Sequence, residues 1–169
     1  MRLSTETIVA AAESPPMSAY SDDLLEEYSS PELQFRYPAA WELRKETEND
    51  DTLITVTADD CCFCVLRLMP ARPRPPAVVR SCISALRGEY EDIEVTRPET
   101  RLSGLPTCSR EATFTCFELL NAAGFASARG SRSTVLIWWQ CTDHELPVAR
   151  PLFDQLIQSV RIPSSRNLN

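Results

Sequence analysis

Histidine and lysine are almost absent from this chain of 169 residues: His144 and Lys45 are the only examples. One histidine leaves little for imidazole-based metal binding or acid–base chemistry. Glycine is also scarce. Gly88, Gly104, Gly124 and Gly130 lie too far apart for a phosphate-cradling loop. No apolar run approaches the roughly 18–20 residues of a membrane helix, so no membrane insertion is expected. The basic residues fall short of the acidic ones, with a formal net charge of −7. That balance argues against nucleic acid, which needs a basic patch to displace counterions.

What is present suits one globular domain long enough to bury its own core. Hydrophobic residues make up 43% and charged residues 24%. The acid is uneven: residues 1–60 hold 14 acidic and 4 basic side chains, while residues 61–169 hold 10 and 13. The seven cysteines are Cys61, Cys62, Cys64, Cys82, Cys108, Cys116 and Cys141. An odd number cannot all pair within one chain, and several sit in apolar runs where a thiol behaves as a small hydrophobe. A reducing, cytoplasmic setting is therefore expected. The stretch Thr7 to Ala12 is apolar but follows Glu6, with Arg2 as its one basic residue, which does not make a secretory signal.

Residues 1–30 read as a flexible acidic tail, with Asp22 to Tyr28 as a candidate short acidic helix. A single domain is expected over 31–163, and a second tail over 164–169. Leu33–Tyr37 alternates apolar and polar residues as a half-buried strand does. Trp41–Lys45, Leu53–Thr57 and Cys62–Met69 follow, separated by polar turns at Glu46–Asp51 and Asp59-Asp60, which implies a four-strand antiparallel meander. Four prolines between Pro70 and Pro76 mark an extended connection. Val78, Val79, Cys82, Ile83, Leu86 and Tyr90 recur at helical spacing, predicting a helix from about Ala77 to Arg87 with Gly88 near its end. A short strand is expected at Ile93–Val95 and a strong one at Ser109–Phe117, with Ala112, Phe114 and Cys116 on one face. Asn121–Gly130 fits a loop or a hairpin arm. Ser133–Cys141 is the most apolar run and the expected central strand. Val148, Leu152, Phe153, Leu156, Ile157 and Val160 define a last helix, with Asp143 before it and Pro151 in its first turns.

This order is α+β: an antiparallel sheet flanked by two main helices. Phe35-Arg36-Tyr37-Pro38-Ala39-Ala40-Trp41, the Leu102-Ser103-Gly104-Leu105-Pro106 turn before a long strand, and the closing helix with Phe153, Ile157 and Ser159 resemble the Mog1/PsbP-like group and its bacterial PsbP- and DcrB-like relatives. The resemblance covers residues 31–163. It implies an α/β/α sandwich and a noncatalytic role. Eukaryotic members bind a small GTPase and plant members assist photosystem assembly, but a fold does not carry such roles with it. No lipoprotein signal is recognisable here, unlike in many bacterial members.

Chemical candidates are few. Within a strand Cys62 and Cys64 share a face and Cys61 points away, which spoils a three-thiolate site, and no second cysteine pair has zinc spacing. The expectation is no metal and no cofactor. His144 sits beside Asp143 and close to Cys141, but neighbours in sequence rarely meet in a catalytic triad. Trp138 and Trp139 point to opposite faces of their strand; core packing of both is expected, since a central strand covered on both faces reads as continuously apolar, and the alternative is that one of them lines a pocket. Trp41 is expected to pack at the sheet edge. Arg72-Pro73-Arg74-Pro75-Pro76 has the composition of a proline-motif ligand and, more ordinarily, of a stiff linker. Trp41, Trp138, Trp139 and His144 are thus the candidate pocket or interaction residues. The leading functional expectation is a noncatalytic interaction or adaptor domain with a protein partner. The alternatives are a ligand-binding or enzymatic cleft between sheet and helix, and an accessory factor of secretion or export.

Overall fold

The computed structural model describes residues 24–58 and 61–163. The Thr7–Ala12 run, most of the acidic head, the Asp59-Asp60 turn and the tail over 164–169 lie outside the described residues. The strands are β1 (Leu25–Ser29), β2 (Gln34–Pro38), β3 (Glu42–Glu48), β4 (Asp51–Thr57), β5 (Phe63–Met69), β6 (Ile93–Thr96), β7 (Thr107–Cys116), β8 (Leu119–Arg129) and β9 (Thr134–Thr142). The helices are α1 (Pro75–Glu89) and α2 (Leu146–Ser159). Seven strands form one antiparallel sheet in the order β3-β4-β5-β9-β8-β7-β6, and β1 pairs with β2 as a separate ribbon. The architecture is α+β as expected, and β9 is the middle strand of the seven.

Each sheet face has its own core. One gathers Trp139, Ile137, Val135, Leu66, Ile54 and Val56 with Phe153 and Leu156 of α2 and Phe35 of β2. The other gathers Phe125, Phe114, Ala112 and Leu136 with Val79 and Ile83 of α1. The period-2 alternation of the strands sorts their side chains between these cores. β8 is the strand sequence propensity describes worst, because Ala122, Ala123, Gly124, Ala126 and Ala128 have little preference for extended structure. It is the hairpin arm after β7, where Gly124 makes room for Trp139 opposite it and Phe125 stands opposite Trp138.

Several expectations are corrected. Asp22–Tyr28 is not a helix over its described part, because Leu25–Ser29 is strand β1. A seven-residue acidic helix cannot repay its own nucleation. Pairing with β2 satisfies the backbone instead, stacks Tyr28 on Phe35 at 5.2 Å and lets Tyr37 donate to Glu26 at 2.7 Å. The four-strand meander has three members, since β2 pairs with β1 and bridges to Arg161 beyond α2. The β3–β4 turn is narrower than expected: only Asn49 and Asp50 separate the strands, both at positive φ. α1 begins at Pro75, proline being suited to a first turn, and Gly88 lies inside it. Pro151 is the sixth residue of α2, past the first turn, and Val148 is 47% exposed rather than part of the apolar face.

The proline-rich connection is tied down along its length. Arg72 donates to the Gly130 carbonyl at 3.0 Å, Arg129 donates to the Arg72 carbonyl, and Thr134 donates to the Pro73 carbonyl at 2.8 Å. These bonds fasten it to the β8–β9 turn.

Candidate functional site

The four aromatic and imidazole candidates do not assemble into one site. Trp41 and Trp139 meet around Phe153 of α2, Trp41 edge-on at 5.7 Å and Trp139 stacked at 5.0 Å. Trp41 is buried, so it serves the core rather than an exposed sheet edge. Trp138 lies on the opposite face, edge-on to Phe63 at 5.2 Å and stacked with Phe125 at 6.1 Å. Its indole Nε1 is buried without a hydrogen-bond partner among the described residues. His144 stands in the turn between β9 and α2 with its side chain 83% exposed, 3.8 Å from the Asp143 carboxylate. Cys62, Cys64 and Cys141 are buried, and burial pushes the Cys64 thiol well above its ordinary range. No group of three potential metal ligands converges among the described residues.

Trp139 does line a groove. A cleft of about 320 Å³ runs between α2 and the Pro98–Arg101 segment, floored by Gly124, Ala126 and Trp139. Arg150 spans it. Its guanidinium lies 5.2 Å from the Trp139 ring centre, 2.7 Å from Glu111 and 3.1 Å from Asp154. Partial burial works against the arginine's charge, but the hydrogen bonds and Coulomb attraction to Glu111 and Asp154 outweigh it and hold the group above its ordinary pKa. The central cation of the groove is already engaged by the protein's own carboxylates. Gly124 is required here, because a Cβ at this position overlaps the Trp139 indole.

The second feature is one that sequence reasoning passed over. β7 and β8 are joined by Phe117 and Glu118 alone, both at positive φ, +49° and +64°. A two-residue turn of this kind favours asparagine, aspartate and glycine. Asn49 and Asp50 meet that preference in the β3–β4 turn, whereas Phe117 and Glu118 do not. Phe117 is 94% exposed, and Leu119 and Leu120 beside it are 45% and 46% exposed. Three large apolar side chains therefore stand in water at one end of the sheet. Their base is held firmly: Asp143 N–H donates to the Leu120 carbonyl at 2.9 Å, and Asn121 donates to the Leu119 carbonyl at 3.0 Å. Next to it, Glu145 accepts from the Thr142 hydroxyl at 2.7 Å and from its N–H at 2.9 Å. The available signal was a Leu-Leu pair straight after a strand end, on no apolar face of its own.

In sequence, the chain matches no known family profile and no curated protein. Solved structures do share its shape. The cyanobacterial PsbP (CyanoP) of Synechocystis sp. PCC 6803 superposes with a TM-score of 0.57 at 14% identity, over 82% of this chain and 92% of that one. LpqN of Mycobacterium tuberculosis, described as involved in cell envelope biogenesis, gives 0.50 at 11% identity over 84% and 93%. A protein from Bacteroides thetaiotaomicron VPI-5482 gives 0.51 at 8% identity, over 84% of this chain and 50% of that one. At these identities the likeness is one of fold. No helix among the described residues is long and apolar enough to cross a membrane.

Proposed function

The chain has a Mog1/PsbP-like fold, and from that premise we propose that it is a noncatalytic accessory domain that acts by holding a protein partner. The carrying observation is the β7–β8 tip, where Phe117, Leu119 and Leu120 stay exposed beside one another in the chain. Apolar side chains left in water in a cluster mark a contact surface more often than isolated ones do. Phenylalanine in a turn that disfavours it costs stability without any packing return, which fits a residue kept for what it touches. The cysteines packed in the core support a reducing compartment, and we place the domain in the cytoplasm on that ground.

Purification of the tagged chain from its host at low salt tests the proposal. The native chain should retain one stoichiometric protein, and the Phe117→Ser/Leu119→Ser variant should lose it with an unchanged melting temperature. Equal retention by both chains would remove the tip from the contact.

The groove over Trp139 favours a second reading, a small-ligand site, since its volume is at the lower end of such cavities. Titration of small anions and amides against the tryptophan fluorescence of a Trp41→Phe/Trp138→Phe chain, which leaves Trp139 as its one emitter, tests it. A saturable quench abolished by Arg150→Met would support this reading, and a flat response would dismiss it.

A further inference from the structure

We infer that the partner of the β7–β8 tip is a protein presenting an apolar pocket rimmed by arginine or lysine; the inference rests on the partner-holding reading above. It comes from the charges that the fold gathers around the tip. Tyr90, at the end of α1, stacks on Phe114 at 4.4 Å and donates to the Cys116 sulfur at 3.5 Å. That places the end of α1 at the same end of the sheet as Phe117. β6 starts there too, with Ile93 paired to Phe114. Glu89, Glu91, Asp92 and Glu94 come with these elements, Glu118 lies in the turn itself, and Asp143 is bonded through its backbone to Leu120. All six are exposed. Arg87 and His144 are the cationic or titratable counterparts in the neighbouring turns, and neither forms an ion pair with Glu89, Glu91, Asp92, Glu94 or Glu118 among the described residues.

An apolar tip in an acidic ring selects its partner by charge. An anionic surface, including a phospholipid headgroup layer, is repelled. Two tips of this chain meeting face to face would oppose acid with acid. The opposite end of the sheet carries Arg72, Arg74, Arg129 and Arg132 around the β5–α1 connection and the β8–β9 turn, with Glu48, Asp50 and Asp51 farther along the same end at the β3–β4 turn. A head-to-tail copy would match in charge, but the cavity there, lined by Gly130, Ser131, Arg132 and Ser133, holds only about 10 Å³. An aromatic ring needs a cavity nearer to ~150 Å³. The occupant inferred is a different protein; a second copy, seating the tip in its own Arg97, Arg101 and Arg110 groove of about 650 Å³, is the competing occupant that the adduct below separates from it.

The test places a photoactivatable phenylalanine analogue at position 117 of the full chain in its host, followed by identification of the adduct and reconstitution with the captured protein. The expected result is an adduct to one other protein at an apolar segment flanked by Arg or Lys. Its affinity should fall at least tenfold between 50 and 300 mM salt, and at least tenfold in Glu91→Lys/Asp92→Lys/Glu118→Lys, a variant whose exposed sites leave the melting temperature within a few degrees of native. An adduct to a second copy, an adduct to lipid, or a captured protein whose affinity ignores both salt and charge reversal would overturn the inference while leaving partner holding intact. No adduct at 117, together with unchanged co-purification of Phe117→Ser/Leu119→Ser, would overturn the tip reading itself.

Discussion

Replacing Phe117-Glu118 by Asn-Gly should stabilise this protein while abolishing its partner contact. Both residues occupy the left-handed region, at φ +49° and +64°, where the Cβ of an L-residue crowds the following carbonyl at a cost of roughly 1–2 kcal/mol and glycine costs nothing sterically. Asparagine tolerates the region through local hydrogen bonding. Phe117 is 94% exposed, so its removal takes little apolar area out of the folded core. The net gain is about 2 kcal/mol. For a domain of this size that raises the melting temperature by about 4–8 °C. Scanning calorimetry under reducing conditions, with urea midpoints as a second measure, reads it directly. The reciprocal exchange is the internal control: Asn49→Phe/Asp50→Glu forces the same residue pair into the β3–β4 turn and should lose a similar amount. If Phe117→Asn/Glu118→Gly were no more stable than the native chain, the turn would not be strained. Phe117 would then stand in the turn at no cost to stability.

Gly124→Ala should cost about 2–3 kcal/mol, the upper range for overpacking, because the added methyl meets a Trp139 ring pinned between Phe153 and Arg150; a urea midpoint equal to native would show that the indole can move aside. Arg150→Met keeps much of the cover over Trp139 but strips Glu111 and Asp154 of their cation. A loss of about 1 kcal/mol is expected because the pair is partly exposed, and a variant as stable as native would mean that the groove is not organised by this arginine. Stability should also fall in alkali. Burial first, then the hydrogen bond and charge of Glu26, raise Tyr37 from 10.0 to about 12, and burial raises Cys64. In both cases the folded state keeps a proton that the unfolded chain gives up, so stability is full below the unfolded pKa and declines above it. The decline starts above about pH 8.5 through the thiol and continues from about 10 to 12 through the phenol. Tyr37→Phe should flatten the upper part of that curve, and an unchanged curve would refute the assignment.

Much of the architecture follows from local pattern. The faces of α1 and α2 and the alternation of β7 are written in apolar spacing, and the continuous apolar run of β9 marks its central place, since burial acts on each element through its own pattern. Residues with weak or conflicting local signals had to wait for their neighbours. Leu25–Ser29 is acidic enough to suggest a solvated helix, yet it is a strand because β2 offers hydrogen bonds and Phe35 offers a ring to stack on. Ala122–Ala128 has little strand propensity of its own, and β7 and β9 impose it from either side.

The candidate sites divide the same way. The sequence by itself determined that Trp138 and Trp139 face opposite ways, since alternation along a strand is a local property of the backbone. Only the tertiary structure decided that Trp139 floors a groove under Arg150 while Trp138 packs beneath α1's side of the sheet. It alone brought Glu89 to Glu94, Glu118 and Asp143, drawn from separate stretches of chain, to the end of the sheet where Phe117 stands. Periodicity reports which face of an element is apolar, but it carries no information about which distant segments share an end of the sheet. That is set by strand order and register, which depend on contacts between residues far apart in the chain.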